Sequence, residues 1–363
     1  MSQDTGDAKL YAVIMAGGKG TRFWPESTSK KPKQYLSLVS DKSLLEETAL
    51  RFEGLIEADS RYVVTVKEQE NLASECSGSN ISEKGLIFEP AGRNTAPCIL
   101  LSMAQLEAQG LRDQDVMAIV PSDHVILNKD GFQKSVHEAY ELAASKDAIV
   151  TIGIVPNFPH TGYGYIKRGE GIDNSSYHVE RFVEKPDFET AKTYLKTGEY
   201  FWNAGMFVAS LGTLKREFQN HAADIFEHYN DLVASAEDFE KTAEIYEKLR
   251  KESIDYAIME KSETVIVKSA EFDWNDLGSW DALESVVEKT GDNTLVGTIG
   301  NFSLEAEGNI VFAPGKFVSL VNVKDLIVVS NNKTVMVLPK SESQKVKKIV
   351  ESLSEGPHAD NLL

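Results

Sequence analysis

The segment from residue 16 to residue 34 holds the densest group of side chains suited to phosphate chemistry. It reads AGGKGTRFWPESTSKKPKQ and begins where an apolar run, residues 10–16, ends. Glycine-rich loops let backbone N–H groups approach phosphate oxygens closely, because no Cβ stands in the way. The segment contains five Lys or Arg residues and one Glu, so its net charge is 5 − 1 = +4, whereas the net charge of the whole chain is −18. This combination predicts a triphosphate site, and the alternative is a solvated basic surface loop.

Two common nucleotide-binding fingerprints are missing from this segment. The dinucleotide pattern GxGxxG would begin at Gly18, but Phe23 stands where its last glycine belongs. The GxxxxGK[ST] pattern of P-loop proteins is also missing. The predicted phosphate site therefore belongs to neither of these two classes.

The elements that must position this loop alternate between strand and helix patterns. Apolar runs typical of buried strands lie at 10–16, 61–67, 86–89, 116–120 and 149–155, with helical patterns between them at 43–52, 95–109 and 132–145. Such alternation predicts an α/β fold with a Rossmann-like, mostly parallel mixed sheet flanked by helices. Residues 213–260 read as mainly helical, and 295–338 as a series of short β segments. We expect one large domain over 8–287 and a small β-rich C-terminal domain over 288–356 that ends in a helix.

Composition and charge exclude several classes of protein. A net charge of −18 and a pI near 4.9 disfavour nucleic-acid binding and binding to anionic membranes, since both need surplus Lys and Arg. No apolar run approaches the ~18 residues of a membrane span, and the polar, acidic start lacks the features of a signal peptide. Cys76 and Cys98 form no CxxC motif and suggest a reducing compartment, so we expect a cytoplasmic protein.

Four spaced motifs identify a family. They are G-G-x-G-T-R with W-P and P-K-Q in the loop, E-P-A-G-R-N-T-A-P at 89–97, W-N-A-G-M-F at 202–207 and D-W-N-D-L-G-S-W at 273–280. Their order resembles that of the sugar-phosphate nucleotidyltransferases, and among these the mannose-1-phosphate guanylyltransferases, also called GDP-mannose pyrophosphorylases. The resemblance covers about residues 10–340. Longer bifunctional members carry a C-terminal mannose-6-phosphate isomerase domain, for which this chain is too short, so we expect no isomerase activity.

The resemblance implies a specific reaction and its partners. GTP and mannose 1-phosphate would give GDP-mannose and pyrophosphate, with Mg²⁺ as the cofactor. A sugar-phosphate oxygen attacks the α-phosphorus in line, and no covalent protein intermediate is needed. The protein must therefore position two polyanions and neutralise their charge. Neither nucleic acid nor a membrane is an expected partner.

The same resemblance assigns catalysis to five charged side chains, namely Arg22, Lys33, Asp123, Lys185 and Asp276. Arg22 would bind the triphosphate with its planar guanidinium, and Lys33 would act as a point charge near the reacting centre. Lys185, in the segment F-V-E-K-P, would hold the phosphate of the sugar. Lys30 and Lys31 are expected to be solvated neighbours.

Asp123 and Asp276 are the expected metal ligands. Asp123 follows the apolar run 116–120, and ligands of α/β sheets bind at the carboxyl ends of strands. Mg²⁺ prefers oxygen ligands and keeps waters and substrate phosphates in its shell, so two carboxylates suffice. A turn or helix-capping role for Asp123 is the alternative. Asp273 competes with Asp276, which we prefer because the family has Asp-x-Gly there. His124 is expected to be structural, since no second histidine has ligand spacing to it.

The remaining site residues follow from the same motifs. Glu89 could accept both guanine donors, N1–H and N2–H₂, although a solvated Glu is the alternative. Glu184 and its neighbours would bind the hexose, and Trp202, Trp274 and Trp280 are expected to be packing aromatics. The predicted nucleotide-binding residues are Ala16, Gly17, Gly18, Gly20, Thr21, Glu89, Gly92, Asn94 and Ser122. The predicted sugar-binding residues are Gly164, Glu184 and Asn203.

Two other functions remain open from the sequence. One is transfer to another hexose 1-phosphate or from another nucleotide. The other is a non-catalytic homologue that only binds a nucleotide-sugar and acts as a regulator, although such a protein would be expected to lose signature residues. The β-rich domain is suited to a subunit interface, which makes a homodimer possible.

Overall fold

The computed structural model describes residues 8–18 and 20–363. In it the first apolar run forms strand β1 at the centre of one half of a nine-stranded sheet, in the order β3-β2-β1-β4-β8-β5-β9-β7-β6. The strands are β1 (Leu10–Met15), β2 (Arg61–Val66), β3 (Leu86–Glu89), β4 (Val116–Pro121), β5 (Ile149–Ile154), β6 (Gly164–Gly171), β7 (Ser176–Glu184), β8 (Tyr200–Ser210) and β9 (Val265–Ser269).

The sheet is mixed, and seven of its nine strands run in one direction. Strands β3, β2, β1 and β4 pair in parallel, as do β5 and β9. Strand β8 runs against both β4 and β5, and β7 runs against both β6 and β9. The expected α/β fold with a mostly parallel mixed sheet is confirmed, and its two reversed strands lie in the half that carries β5 to β9.

Helices cover both faces of the sheet and bury two large apolar clusters. Side-chain caps set several helix starts: Ser43 accepts from the N–H of Glu46, and Asn128 from that of Gly131. The Asn128 cap explains why the fourth helix begins at Lys129, three residues before the apolar pattern suggests. The helices are α1 (Leu44–Arg51), α2 (Glu70–Ser77), α3 (Thr95–Ala108), α4 (Lys129–Lys146), α5 (Phe188–Thr197), α6 (Leu211–His221), α7 (Ala223–Phe226), α8 (Tyr229–Ala234), α9 (Phe239–Tyr246), α10 (Val346–Ser354) and α11 (Ala359–Leu362).

The C-terminal region is β-rich, as expected, and its short strands stack in parallel. One sheet has the order β10-β12-β14-β15 and another pairs β11 with β13. Apart from the antiparallel pair of β14 and β15, all these pairs are parallel, which is the arrangement of a β-helix. The strands are β10 (Thr294–Val296), β11 (Gly300–Leu304), β12 (Ile310–Phe312), β13 (Phe317–Val321), β14 (Leu326–Ser330) and β15 (Val335–Pro339). The closing helix is α10, after a 3₁₀ turn at Lys340–Lys345.

A third apolar cluster joins the β-rich region to the base of the glycine-rich loop. Trp280 is a fully buried member of this cluster and packs against Phe23 and Phe312 at ring-centroid distances of 5.0 and 5.3 Å. Its indole N–H donates to the carbonyl of Trp24 at 3.0 Å. The β-rich region therefore packs, through Trp280, against the base of the glycine-rich loop. In residues 8–18 and 20–363, no helix combines the length and apolar character that a membrane span requires.

Candidate active site

Parallel pairing brings the glycine-rich loop and the segment after β4 to the same edge of the sheet. The N–H of Ala16 donates to Val64 at 2.7 Å, and the N–H of Ser122 donates to Met15 at 3.0 Å. Ala16 and Ser122 are both buried, and the Ser122 hydroxyl has no hydrogen-bond partner among the described residues. Asp123 therefore emerges next to the loop, at the carboxyl end of the strands.

Gly20 is required by the path of the loop. Its φ is +56°, and a Cβ at this position would overlap the Cβ of Lys33. Only glycine tolerates both the left-handed backbone and this close approach. Gly17 and Gly18 are exposed at the loop surface, and Thr21 opens a 3₁₀ turn at Thr21–Phe23. Lys19, which contributes to the +4 of this segment, lies outside the described residues.

Lys33 lies at the centre of the charged groups. It is only 5% exposed, and its Nζ lies 3.0 Å from Asp123 Oδ2 and 2.6 Å from the carbonyl oxygen of Asp276. Lys30 and Lys31 are exposed, as expected for solvated neighbours. A single buried ammonium thus joins the loop to both predicted metal-ligand residues.

Backbone pairing brings the Asp276 segment to Asp123. Val125 and Asn275 exchange two backbone hydrogen bonds of 2.9 and 3.0 Å. The carboxylate of Asp273, the competing candidate, accepts from the backbone N–H groups of Leu127 and Asn128 at 2.9 and 2.7 Å. Asp276 instead accepts from the Tyr163 hydroxyl at 2.7 Å and faces the site. The carboxylate of Asp273 is therefore engaged by backbone N–H groups just before α4.

Arg22 reaches the same segment from the loop. The side chain is exposed, and its Nη1 lies 3.4 Å from the carbonyl oxygen of Gly278. We call Arg22, Lys33, Asp123 and Asp276 the loop cluster. The four residues come from three segments that are far apart in the sequence, and the fold brings them together.

The charges of the loop cluster keep Asp123 ionised. Burial alone would raise the pKa of Asp123, but the charge and hydrogen bond of the Lys33 ammonium outweigh it, so the pKa lies below its usual range. Burial lowers the pKa of His124, whose Nδ1 accepts from the indole N–H of Trp274 at 3.1 Å. A neutral imidazole fixed in this way agrees with a structural His124.

The donor set of the loop cluster fits a hard divalent cation. Lys33 contacts the carboxylate of Asp123 and the backbone carbonyl of Asp276, and the Asp276 carboxylate accepts from Tyr163 in the same site. The described residues contain no group of three or more His, Cys, Asp or Glu side chains that could hold a metal by themselves. Two protein carboxylates completed by waters and phosphate oxygens are typical of Mg²⁺.

A second cluster forms where β6, β7 and β8 meet. Glu184 Oε1 lies 2.5 Å from Lys185 Nζ, and a Cβ at Gly164 would overlap Glu184 Oε2. Asn203 lies beside them and donates from Nδ2 to Asp255 Oδ1 at 2.9 Å. These residues, Gly164, Glu184, Lys185, Asn203 and Asp255, form what we call the carboxylate cluster. It contains all three predicted sugar-binding residues.

Tyr163 links the two clusters. Its hydroxyl donates to Asp276 Oδ1, and its carbonyl accepts from the N–H of Lys185 at 3.2 Å. Its ring packs against His160, Trp202 and Trp274, with ring-centroid distances of 3.8, 5.1 and 5.2 Å. Trp202 and Trp274 thus pack in the wall between the clusters, as expected of packing aromatics.

The predicted guanine-reading segment lies apart from these contacts. Glu89 is 4% exposed, and its Oε1 accepts from the Tyr246 hydroxyl at 2.5 Å. Burial raises the pKa of Glu89. Gly92 and Asn94 are exposed, and the Asn94 side chain caps α3 by accepting from Thr95 N–H. Among the described residues, Glu89, Gly92 and Asn94 form no hydrogen bond or ion pair with the loop cluster, so their role in base recognition stays a prediction.

Sequence reasoning missed Tyr163 and Asp255. Tyr163 directly precedes the predicted Gly164, in the sequence G-Y-G-Y at 162–165, so the prediction of its neighbour was a signal for it. Asp255 lies at the end of a stretch that reads as mainly helical, and nothing local distinguishes it from other helical aspartates. Its contact with Asn203 depends on how the chain returns to the sheet, which spacing alone does not give.

Comparison with families of known proteins identifies two regions of the chain. A family model described as nucleotidyl transferase matches residues 11–293. A second model, described as a MannoseP isomerase/GMP-like beta-helix domain, matches residues 299–353. The second match agrees with the parallel stacking of the short C-terminal strands.

Several curated proteins match over most of the chain. The mannose-1-phosphate guanylyltransferase of Escherichia coli K12 is 35% identical over 97% of this chain and 75% of its own length. A second Escherichia coli protein of that name is 38% identical with the same coverage. Among solved structures, that of mannose-1-phosphate geranyltransferase from Thermus thermophilus matches with a TM-score of 0.87 at 33% identity, over 95% of this chain and 99% of that chain.

Proposed function

We propose that this chain, which belongs to the mannose-1-phosphate guanylyltransferase family of nucleotidyltransferases, transfers GMP from GTP to mannose 1-phosphate and releases pyrophosphate. The observation that carries the proposal is the connected site. The loop cluster holds cations and metal-type carboxylates, the carboxylate cluster holds groups suited to a hexose phosphate, and Tyr163 contacts both. A site with these two ends holds a nucleotide and a sugar phosphate at once.

At the nucleotide end, the glycine-rich loop offers backbone N–H groups to the triphosphate, with Gly17, Gly18, Gly20 and Thr21 closest to it. Arg22 binds phosphate oxygens, and Lys33 neutralises charge next to the α-phosphorus. Because Lys33 is already held by Asp123 and the Asp276 carbonyl, it needs little reorganisation when the nucleotide binds.

Members of this family generally use a divalent metal, and we propose Mg²⁺ here. Asp123 and Asp276 would hold the ion, which when bound supplies positive charge to the triphosphate oxygens. Ser122 supports this end from the carboxyl end of β4, where its buried hydroxyl lacks a protein partner among the described residues. Tyr163 orients the Asp276 carboxylate by its hydrogen bond.

At the sugar end, Lys185 holds the phosphate of mannose 1-phosphate. To do so it exchanges its contact with Glu184 for one with phosphate, which leaves the Glu184 carboxylate to accept hexose hydroxyls. Gly164 keeps space for Glu184, and Asn203 contributes an amide. Direct in-line attack of the sugar phosphate then gives GDP-mannose, with no covalent protein intermediate.

For the base, we propose that the segment from Glu89 to Asn94 reads guanine. Its support is the sequence motif, since Glu89 is bonded to Tyr246 within the protein. The Glu89→Gln variant should raise the KM for GTP more than any other kinetic constant. An unchanged preference for GTP over UTP in this variant would contradict the assignment.

The remaining assignments follow from the same observations. The division at residues 287 and 288 is supported by the change from the nine-stranded sheet to stacked short strands. A homodimer through the β-rich region is supported by exposed apolar side chains on β11 and β13, among them Phe302, Leu304, Phe317 and Val321. Two free thiols support a cytoplasmic location.

A pyrophosphate-release assay with Mg²⁺ tests the proposed function. The substrates would be GTP or UTP, each with mannose 1-phosphate or glucose 1-phosphate. We expect the largest kcat/KM for GTP with mannose 1-phosphate. No release with any pair would overturn the enzyme assignment, and a larger kcat/KM for UTP or glucose 1-phosphate would overturn the substrate assignment.

A further inference from the structure

Asp255 is fixed firmly beside the carboxylate cluster. It opens a π-helical turn, Asp255–Met259, and such turns are frequent at functional sites. The N–H of the preceding Ile254 donates to Thr95 Oγ1 at 2.8 Å, and the following residues 257–259 are buried in the core. The turn is therefore anchored on both sides of Asp255, and its carboxylate faces Asn203.

The contact with Asp255 fixes the orientation of the Asn203 amide. Asn203 Oδ1 accepts from the N–H of Gly205 at 3.0 Å and from the Thr151 hydroxyl at 3.4 Å. Asn203 Nδ2 donates to Asp255 Oδ1 at 2.9 Å. With the oxygen turned inward, the amide presents its NH₂ group, whose second hydrogen remains for a ligand.

Asp255 has no cationic partner in direct contact. Lys185 pairs with Glu184 and lowers the pKa of Asp255 only from a distance, and Asp255 forms no ion pair with any Lys or Arg that the structure describes. Burial, and then repulsion by Glu184, raise the pKa of Asp255 to about 6. Asp255 is partly buried, and a carboxylate in such a place without a cation in contact is costly, so hydroxyl donors from a ligand would stabilise it.

We propose that Asp255 is a specificity-determining residue for the hexose. It fixes the Asn203 amide as a donor and, beside Glu184, offers carboxylate oxygens to sugar hydroxyls. Epimers differ in the direction in which one hydroxyl points, so fixed donors and acceptors distinguish them. This proposal rests on the proposed function, because it requires the sugar to bind at the carboxylate cluster.

The test compares GDP-mannose with GDP, which differ by the sugar. Binding of each is measured by calorimetry for the wild type, Asp255→Ala, Asp255→Asn and the exposed control Glu244→Gln on α9. We expect Asp255→Ala to weaken the binding of GDP-mannose about tenfold and the binding of GDP less than twofold. Asp255→Asn keeps an acceptor for Asn203, so its affinity for GDP-mannose should fall only about threefold. The control should match the wild type.

Kinetics give a second, independent measurement. Asp255→Ala should raise the KM for mannose 1-phosphate about tenfold, leave the KM for GTP within twofold, and lower the selectivity for mannose over glucose 1-phosphate about tenfold. Equal losses of GDP and GDP-mannose binding would indicate a merely structural role and overturn the proposal. Unchanged selectivity would also overturn it.

Failure of the proposed function would look different. A wild type that releases no pyrophosphate with any hexose 1-phosphate contradicts the proposed reaction, yet the binding comparison still decides the role of Asp255. A wild type that binds GDP-mannose no more tightly than GDP overturns the Asp255 proposal itself.

Discussion

The loop cluster and the carboxylate cluster differ in the charges that they present within one site. In the loop cluster, a buried lysine contacts one aspartate and the backbone of another, and Arg22 adds a second cation. In the carboxylate cluster, two carboxylates lie together with one lysine, which Glu184 occupies. Phosphates need cations, whereas sugar hydroxyls need acceptors, and this difference is the basis for our proposal of which part of each substrate binds at each end.

The largest expected effect is at the loop cluster. Lys33→Met removes the ammonium next to the reacting phosphates and should lower kcat about 10³-fold, a loss typical of removing a group that stabilises developing charge. Steady-state pyrophosphate release measures it, and the KM for mannose 1-phosphate should stay within threefold. The exposed neighbour Lys30→Met is the matched control and should stay within twofold of the wild type.

The mirror experiment is at the carboxylate cluster. Lys185→Met should raise the KM for mannose 1-phosphate about 100-fold and leave the KM for GTP within threefold, because in the proposed complex this lysine binds the sugar phosphate and not the nucleotide. Lys192→Met on α5, also exposed, is the control. If Lys33→Met and Lys185→Met changed the same kinetic constant, the division of the site into two ends would be wrong.

These clusters also show how far the sequence predicts the site. The loop was predictable because its motif is local: Gly20 and Lys33 lie 13 positions apart and touch through a left-handed glycine. The α/β fold followed from apolar runs, which report burial directly. Asp255 was not predictable, because its contact with Asn203 spans 52 positions and depends on how β8 is reversed within the sheet.

A smaller effect is expected at the residue that joins the clusters. Tyr163→Phe removes the hydrogen bond to Asp276 but keeps the ring that packs in the aromatic wall. We expect the Mg²⁺ concentration for half-maximal rate to rise about tenfold, as for other groups that orient a metal ligand. Magnesium titration of the rate measures it, with Tyr62→Phe, which removes a hydrogen bond to Gln109 outside both clusters, as the control. An unchanged Mg²⁺ requirement would remove Tyr163 from this role.

The smallest effect concerns stability and pH. Because the folded-state pKa of Asp255 is raised to about 6, the folded protein takes up a proton as pH falls through 6, before the unfolded chain does near 4. Asp255 therefore destabilises the fold at pH 8 and less so at pH 5. Asp255→Asn should gain roughly 1 kcal/mol more relative to the wild type at pH 8 than at pH 5.

Urea unfolding of both proteins at the two pH values measures this difference. Glu244→Gln, whose side chain is exposed, should show no such dependence on pH. The opposite outcome is that the wild type and Asp255→Asn differ in free energy of unfolding by the same amount at both pH values. That result would mean that the surroundings of Asp255 do not raise its pKa.

The central claim is that the loop cluster binds GTP while the carboxylate cluster binds mannose 1-phosphate. GMP then passes directly from pyrophosphate to the sugar phosphate. The most direct test of this claim is the stereochemistry at the α-phosphorus. A single diastereomer of GTPαS reacts with mannose 1-phosphate, and ³¹P NMR assigns the configuration of the GDPαS-mannose product. A single in-line displacement predicts inversion of configuration. Retention would mean that the nucleotidyl group passes through a covalent protein intermediate, and it would contradict the account.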